Sequence, residues 1–147
     1  MFALYTDQNG KVVGFEEKGL RFPARDDRFK AVVEWAGKLD PPVDLKGDFP
    51  PGAILFFDLQ TLADFCRPRG AMLHTTGTTF TAGERRTVGG RPWVSLRRAV
   101  AVRPEDEGPR NPTGITSDFT GLWVPEPLFA SMSDVLSGSR VEAFHLV

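Results

Sequence analysis

The chain has 147 residues, with 18 Lys and Arg set against 19 Asp and Glu and a formal net charge of −1, so no overall field draws it onto nucleic acid or an anionic lipid surface. Hydrophobic residues make up 41% of it and charged residues 25%, the composition of a folded globular domain and not of a disordered chain. Its length falls in the usual range of roughly 100–150 residues for one domain.

Cys66 is the only cysteine, so no intrachain disulfide can form, and a reducing compartment is expected. The start, MFALYTDQNGKVVGF, has neither a basic lead nor a long apolar run, so no signal peptide is expected. No apolar run is longer than Ala53 to Phe57, far short of the roughly 20 residues that span a bilayer. These features predict a soluble, cytoplasmic protein with no membrane partner.

In chain order, Phe2–Tyr5 and Lys11–Phe15 read as a hairpin around Asp7-Gln8-Asn9-Gly10, because Asn-Gly tolerates positive φ. A helix follows, with Asp26 or Asp27 as its expected cap and Phe29, Val32, Val33 and Ala36 as its apolar face; Trp35 falls off that stripe. Asp40 to Gly52 holds four prolines and two glycines and is a loop. Ala53–Phe57 reads as a buried strand. Asp58 then caps a second helix with Leu59, Leu62, Ala63 and Cys66 on one face.

The period changes to two beyond Gly70. Ala71–Thr75, Thr78–Ala82 and Pro92–Val102 are strand candidates, with a turn at Gly89-Gly90. On the last of these, Val94, Leu96, Val100 and Val102 face one side, and Trp93, Ser95, Arg97, Ala99 and Ala101 the other. Arg98 interrupts the apolar side, which predicts a bulge or an edge position. Pro104–Phe119 is a polar loop. Thr120–Val124 is a strand, Leu128, Met132, Val135 and Leu136 form the face of a third helix, and Arg140–Val147 is a closing strand. The pattern predicts a single α+β domain over residues 1–147, with about three helices and a mixed or mainly antiparallel sheet.

Few motifs carry chemistry. Cys66, His74 and His145 are too widely spaced for the close ligand pairs of a zinc site, and neither phosphate-binding glycine fingerprint occurs, so no resident metal or cofactor is expected. Cys66 with His74 would be a thiol and its base, but Cys66 lies on a buried helix face, where thiols are inert. The paired acids Glu16-Glu17, Asp26-Asp27 and Glu105-Asp106-Glu107 read as caps and solvated loops. Arg85, Arg86, Arg91, Arg97, Arg98 and Arg103 form a basic cluster around Trp93. A solvated strand face is the simplest account of it; a protein partner comes second and nucleic acid third.

Two segments carry resemblances. Leu73-His74-Thr75-Thr76-Gly77-Thr78-Thr79 resembles the His-x-Thr strand with which many ADP-ribosyltransferases hold the nicotinamide ribose. That resemblance implies NAD bound at His74 and Thr76, with Glu126 or Glu142 assisting; the stacking tyrosines of that family have no counterpart, since Tyr5 is this chain's single tyrosine. The C-terminal stretch TGLWVPEPLFASMSDVLSGSRVEAFHLV resembles the ending of some bacterial immunity proteins of polymorphic toxin systems, which finish with a strand, a short helix and a strand. It implies a non-enzymatic inhibitor that binds and blocks a toxin or effector protein. The contact residues expected on that reading are Trp35, Trp93, Arg97, Arg98 and the acidic loop Glu105, Asp106 and Glu107. The alternatives are an NAD-using enzyme centred on His74 and Thr76, and a nucleic-acid-binding accessory protein that uses the arginines from Arg85 to Arg103.

Overall fold

β1 (Ala3–Thr6) and β2 (Val12–Glu17) form the expected N-terminal hairpin. Asp7 organises the turn, its Oδ1 accepting the Asn9 and Lys11 backbone N–H groups at 2.8 and 3.0 Å. Gly10 takes φ +74° with its Cα pressed against the Phe49 carbonyl, where a Cβ would overlap it. The Phe49 N–H donates to Gly10 O at 3.2 Å. A local turn is thereby fixed to a loop nearly forty residues on. The computed structural model describes residues 1–66, 78–100, 114–115, 121–133 and 143–146.

A second hairpin follows directly. Lys18 and Gly19 take φ 52° and 81°, the two positive values of a type I′ turn, and return the chain as β3 (Leu20–Pro23) against β2. This strand was not expected from the sequence. α1 (Phe29–Gly37) comes next. Its N-cap position is Arg28, with no side-chain cap bond, in place of the expected Asp26 or Asp27. Asp26 instead stabilises the preceding turn, its Oδ1 accepting Arg28 N–H at 2.9 Å. Val32 and Ala36 are buried and Phe29 and Trp35 half-buried, while Val33 points outward.

The remaining elements are β4 (Ile54–Leu55), α2 (Leu59–Cys66), β5 (Thr78–Val88), β6 (Arg91–Val100), β7 (Gly114–Ile115), β8 (Leu122–Pro125), α3 (Glu126–Met132) and β9 (Ala143–Leu146). Among the described residues these strands form one sheet in the order β3-β2-β1-β4-β8-β6-β5-β9, with β7 also paired to β6. β4 and β8 run parallel, and the other pairs are antiparallel. The architecture is the mixed, mainly antiparallel α+β sheet with three helices that the sequence predicts. Among the described residues no helix is long and apolar enough to cross a membrane.

The central strands are apolar on both faces, so both are covered. On one face Phe2, Leu4, Phe15, Leu55, Trp93 and Trp123 pack with Val32 and Ala36 of α1 and with Val43 and Phe49 of the following loop. On the other, Ala3, Tyr5, Phe56, Phe80, Val94, Leu96, Leu122, Val124, Phe144 and Leu146 pack with Leu62, Phe65 and Cys66 of α2 and Phe129 of α3. Edge-to-face aromatic pairs tie these layers, among them Phe2–Trp35, Phe57–Trp93 and Phe129–Phe144. Burial of this many aromatic side chains supplies most of the driving force for the fold.

Several sequence expectations need correction. β6 lies between β5 and β8 and is not an edge. The bulge interrupts its partner β5, between Ala82 and Arg85. The buried face of α2 is Thr61, Leu62, Phe65 and Cys66, and Leu59 is exposed. The candidate strand Ala71–Thr75 and the helix positions Val135 and Leu136 lie outside the described residues.

Asp58 does cap α2. Its Oδ1 accepts both the Thr61 N–H and the Thr61 hydroxyl at 2.7 Å, and its Oδ2 meets the Met1 ammonium at 2.8 Å. Burial pushes its carboxyl upward, but the bonds from Met1 and Thr61 outweigh burial and hold it below the ordinary value. A depressed folded value stabilises the protein above the unfolded value of about 3.9 and is lost as pH falls through the folded one. Asp58→Ala is expected to cost about 1 kcal/mol at pH 7, with the gap to wild type closing as denaturation is repeated at falling pH below about 4. In the same assay Gly10→Ala should cost more than about 2 kcal/mol, adding a backbone clash to the positive-φ penalty, whereas Gly19→Ala, with open space around it, should cost about 1–2 kcal/mol. Equal losses at the two glycines would contradict the Gly10–Phe49 contact.

Candidate functional site

The helices do not cover the whole sheet. Phe80, Val94, Leu96, Phe144 and Leu146 belong to the layer under α2 and α3. Strand alternation therefore turns Thr79, Thr81, Ser95, Arg97 and His145 to the α1 side. Register brings them together, since Thr81 lies opposite Arg97 and Thr79 opposite His145. Arg86 joins them opposite Trp93, with its guanidinium 5.5 Å from the centre of the Trp123 ring. α1 packs over the β1–β2–β4 part of this side, and among the described residues no helix covers the β6–β5–β9 part.

The exposed patch is polar, with Arg97 and Arg86 as its cations and Glu84 as a nearby acid. Arg97 and His145 are exposed, and Thr79, Thr81 and Ser95 half-buried. Thr79 Oγ1 lies 3.1 Å from His145 Nδ1, and Ser95 Oγ accepts the Glu84 N–H at 2.6 Å. Arg86 pairs with Glu84 at 2.6 Å, whereas Arg97 makes no ion pair with a described residue. The patch offers the Arg97 guanidinium, an imidazole and a row of hydroxyls, with Arg86 held by Glu84 on the same face, a set suited to carboxylate or phosphate acceptors.

The sequence-predicted residues are only partly gathered here. Arg97 and Arg86 belong to the patch. Arg85 lies on the opposite face, where it pairs with Glu126 at 3.2 Å. Arg91 sits near the β5–β6 turn and donates to Pro42 O at 3.2 Å. Trp93 is 0% exposed, so it is a core residue and not the surface anchor expected of it; its position on a central strand under Phe49 and Phe57 explains the difference. Its indole Nε1–H is buried with no hydrogen-bond partner among the described residues. Trp35 is half-buried and packs edge-on against Phe2 and Phe57. Arg98 pairs in register with Phe80. Its side chain, His74, Thr76, Arg103, Glu142 and the loop Glu105, Asp106 and Glu107 lie outside the described residues. Thr79, Thr81, Ser95 and His145 were not anticipated as site residues; His145 reaches them only because β9 lies beside β5.

Among the described residues, two clefts more enclosed than the open groove at Pro23 and Arg25 lie elsewhere. One, of about 150 Å³, includes Met1, Glu16, Lys18, Thr61 and Asp64; Glu16 is buried there and accepts the Tyr5 hydroxyl at 2.9 Å, while Arg21 stacks on the Tyr5 ring at 3.9 Å. The other is an apolar crevice of about 530 Å³ at the ends of β4 and β8. Among the described residues no group of three or more His, Cys, Asp and Glu side chains is placed to hold a metal ion. Comparison with protein-family models, with curated proteins and with solved structures finds no match.

The placement of Trp93 is directly testable. Trp93→Ala should cost about 3–5 kcal/mol in chemical denaturation, the loss typical of a buried aromatic. A cost below about 0.5 kcal/mol, as for an ordinary surface position, would contradict its burial.

Proposed function

We propose that this protein is a non-catalytic binding module that uses the uncovered β6–β5–β9 face to engage a partner protein, in the manner of an immunity or inhibitor protein that blocks a toxin or effector. One observation carries the reading: Arg97, unpaired among the described residues, stands exposed on the same face as Arg86, His145 and the Thr79–Thr81–Ser95 hydroxyls, on the part of the sheet that α1 leaves open. Such a face complements an acidic protein surface. Arg is enriched at interface centres, where a few residues carry most of the binding energy. The C-terminal resemblance to immunity proteins supports the same class.

A nucleic-acid partner fits this face less well. Single-stranded binders stack bases on exposed aromatic rings, and the tryptophans on this side, Trp93 and Trp123, are 0% and 7% exposed. The net charge of −1 adds no long-range attraction for a polyanion.

The test is affinity capture of tagged protein from its source lysate, with wild type and an Arg86→Glu/Arg97→Glu variant run side by side at low and moderate salt. One stoichiometric acidic partner that survives moderate salt and is lost from the variant, and whose toxic activity the wild type suppresses, is the expected result. Equal recovery by the variant would remove this face from the interface. Recovery of nucleic acid, with binding that falls steeply with salt, would favour the accessory-protein reading instead.

A further inference from the structure

The crevice of about 530 Å³ is independent of the partner-binding face and follows from topology. β4 and β8 are the parallel pair, so both leave the sheet in the same direction, β4 toward Phe57 and β8 toward Pro125 and Pro127. Ligands of open sheets often lie in the gap outside the carboxyl ends of parallel strands. Here that gap is walled by Leu39, Val43, Phe57 and Leu128 and by the prolines after β8. Proline has a fixed φ and no N–H, so these walls are rigid and offer few donors. The size lies within the roughly 300–1,000 Å³ range of small-molecule sites.

The polar groups on the lining are few. Arg91 is half-buried, its Nη2 donates to the Pro42 carbonyl at 3.2 Å, and no described carboxylate forms an ion pair with it. That bond ties the guanidinium to the chain between the lining residues Pro41 and Val43 and leaves its other N–H groups for a ligand. Asp40 shares the lining and disfavours a second anionic group. We infer that this crevice binds a small molecule with an apolar body and a single carboxylate, the carboxylate on Arg91 and the body against Phe57, Val43 and Leu128.

The probe is octanoate, with neutral octanamide as its control, titrated into ¹⁵N-labelled full-length protein and followed through the amide resonances of Val43, Gly90, Arg91 and Leu128. Octanoate should shift these amides saturably and bind about tenfold or more tightly than octanamide, the worth of a charge-assisted bond. Arg91→Gln should erase that preference while octanamide affinity holds. Leu128→Trp, which fills the crevice and keeps Arg91, should abolish both titrations, and it carries the test if Arg91→Gln does not fold. Absence of saturable shifts at about 10 mM ligand, well above a millimolar dissociation constant, would overturn the inference. So would equal affinity for the two probes, or binding that survives Leu128→Trp.

Discussion

The structure depends on one constraint: its central strands carry large apolar side chains on both faces. Leu55 and Phe56 at the end of β4, Trp93 and Val94 on β6, and Trp123 and Val124 on β8 send alternate rings and branches to opposite sides. Neither face of such a sheet can be left in water. A short α1 and the loop to Phe49 close one side, and α2 and α3 close the other. The Gly10–Phe49 tie and the Asp58 cap fix the covering pieces at their ends.

The same constraint says where covering stops. Along β6, on the α1 side, the residues run Arg91, Trp93, Ser95, Arg97, so that the sequence turns polar two positions beyond the buried tryptophan. On β5 and β9 the matching positions are Thr79, Thr81 and His145. Polar side chains need no apolar roof, and the α2 and α3 side of these same strands stays buried through Phe80, Leu96, Phe144 and Leu146. The candidate interaction face is therefore the half of a layer where only one side of the strands requires burial. At the opposite end of β6, Arg91 marks the other border, where the ends of the parallel strands leave an apolar crevice.

Much of this was legible from local pattern. The Asn-Gly turn, the Gly89-Gly90 turn, the cap at Asp58 and the three helices each follow from residue types within a few positions. β3 was missed because Leu20–Pro23 is a short edge strand with mainly exposed residues and no alternating pattern; the signal for it was the Lys18-Gly19 pair. The α2 face was misread by about one residue because Phe65, off the chosen stripe, packs on Phe56. Trp93 looked like an anchor because its neighbours are arginines, and only the long-range approach of Phe49 and Phe57 buries it. Arg97 was a candidate from the sequence. Its companion His145 was not, because strand order brings β9 to β5 across more than sixty residues.

The claim that this face is open is most directly tested by thiol labelling of the folded protein. Cysteines would be placed singly at Thr81, Ser95 and Arg97, and their rates compared with that of native Cys66, which is 0% exposed. The account predicts that Thr81→Cys, Ser95→Cys and Arg97→Cys label far faster than Cys66, which reacts only when the protein opens. Protection of Thr81→Cys and Arg97→Cys to the level of Cys66 would mean that another part of the chain lies over the face, and would contradict the account.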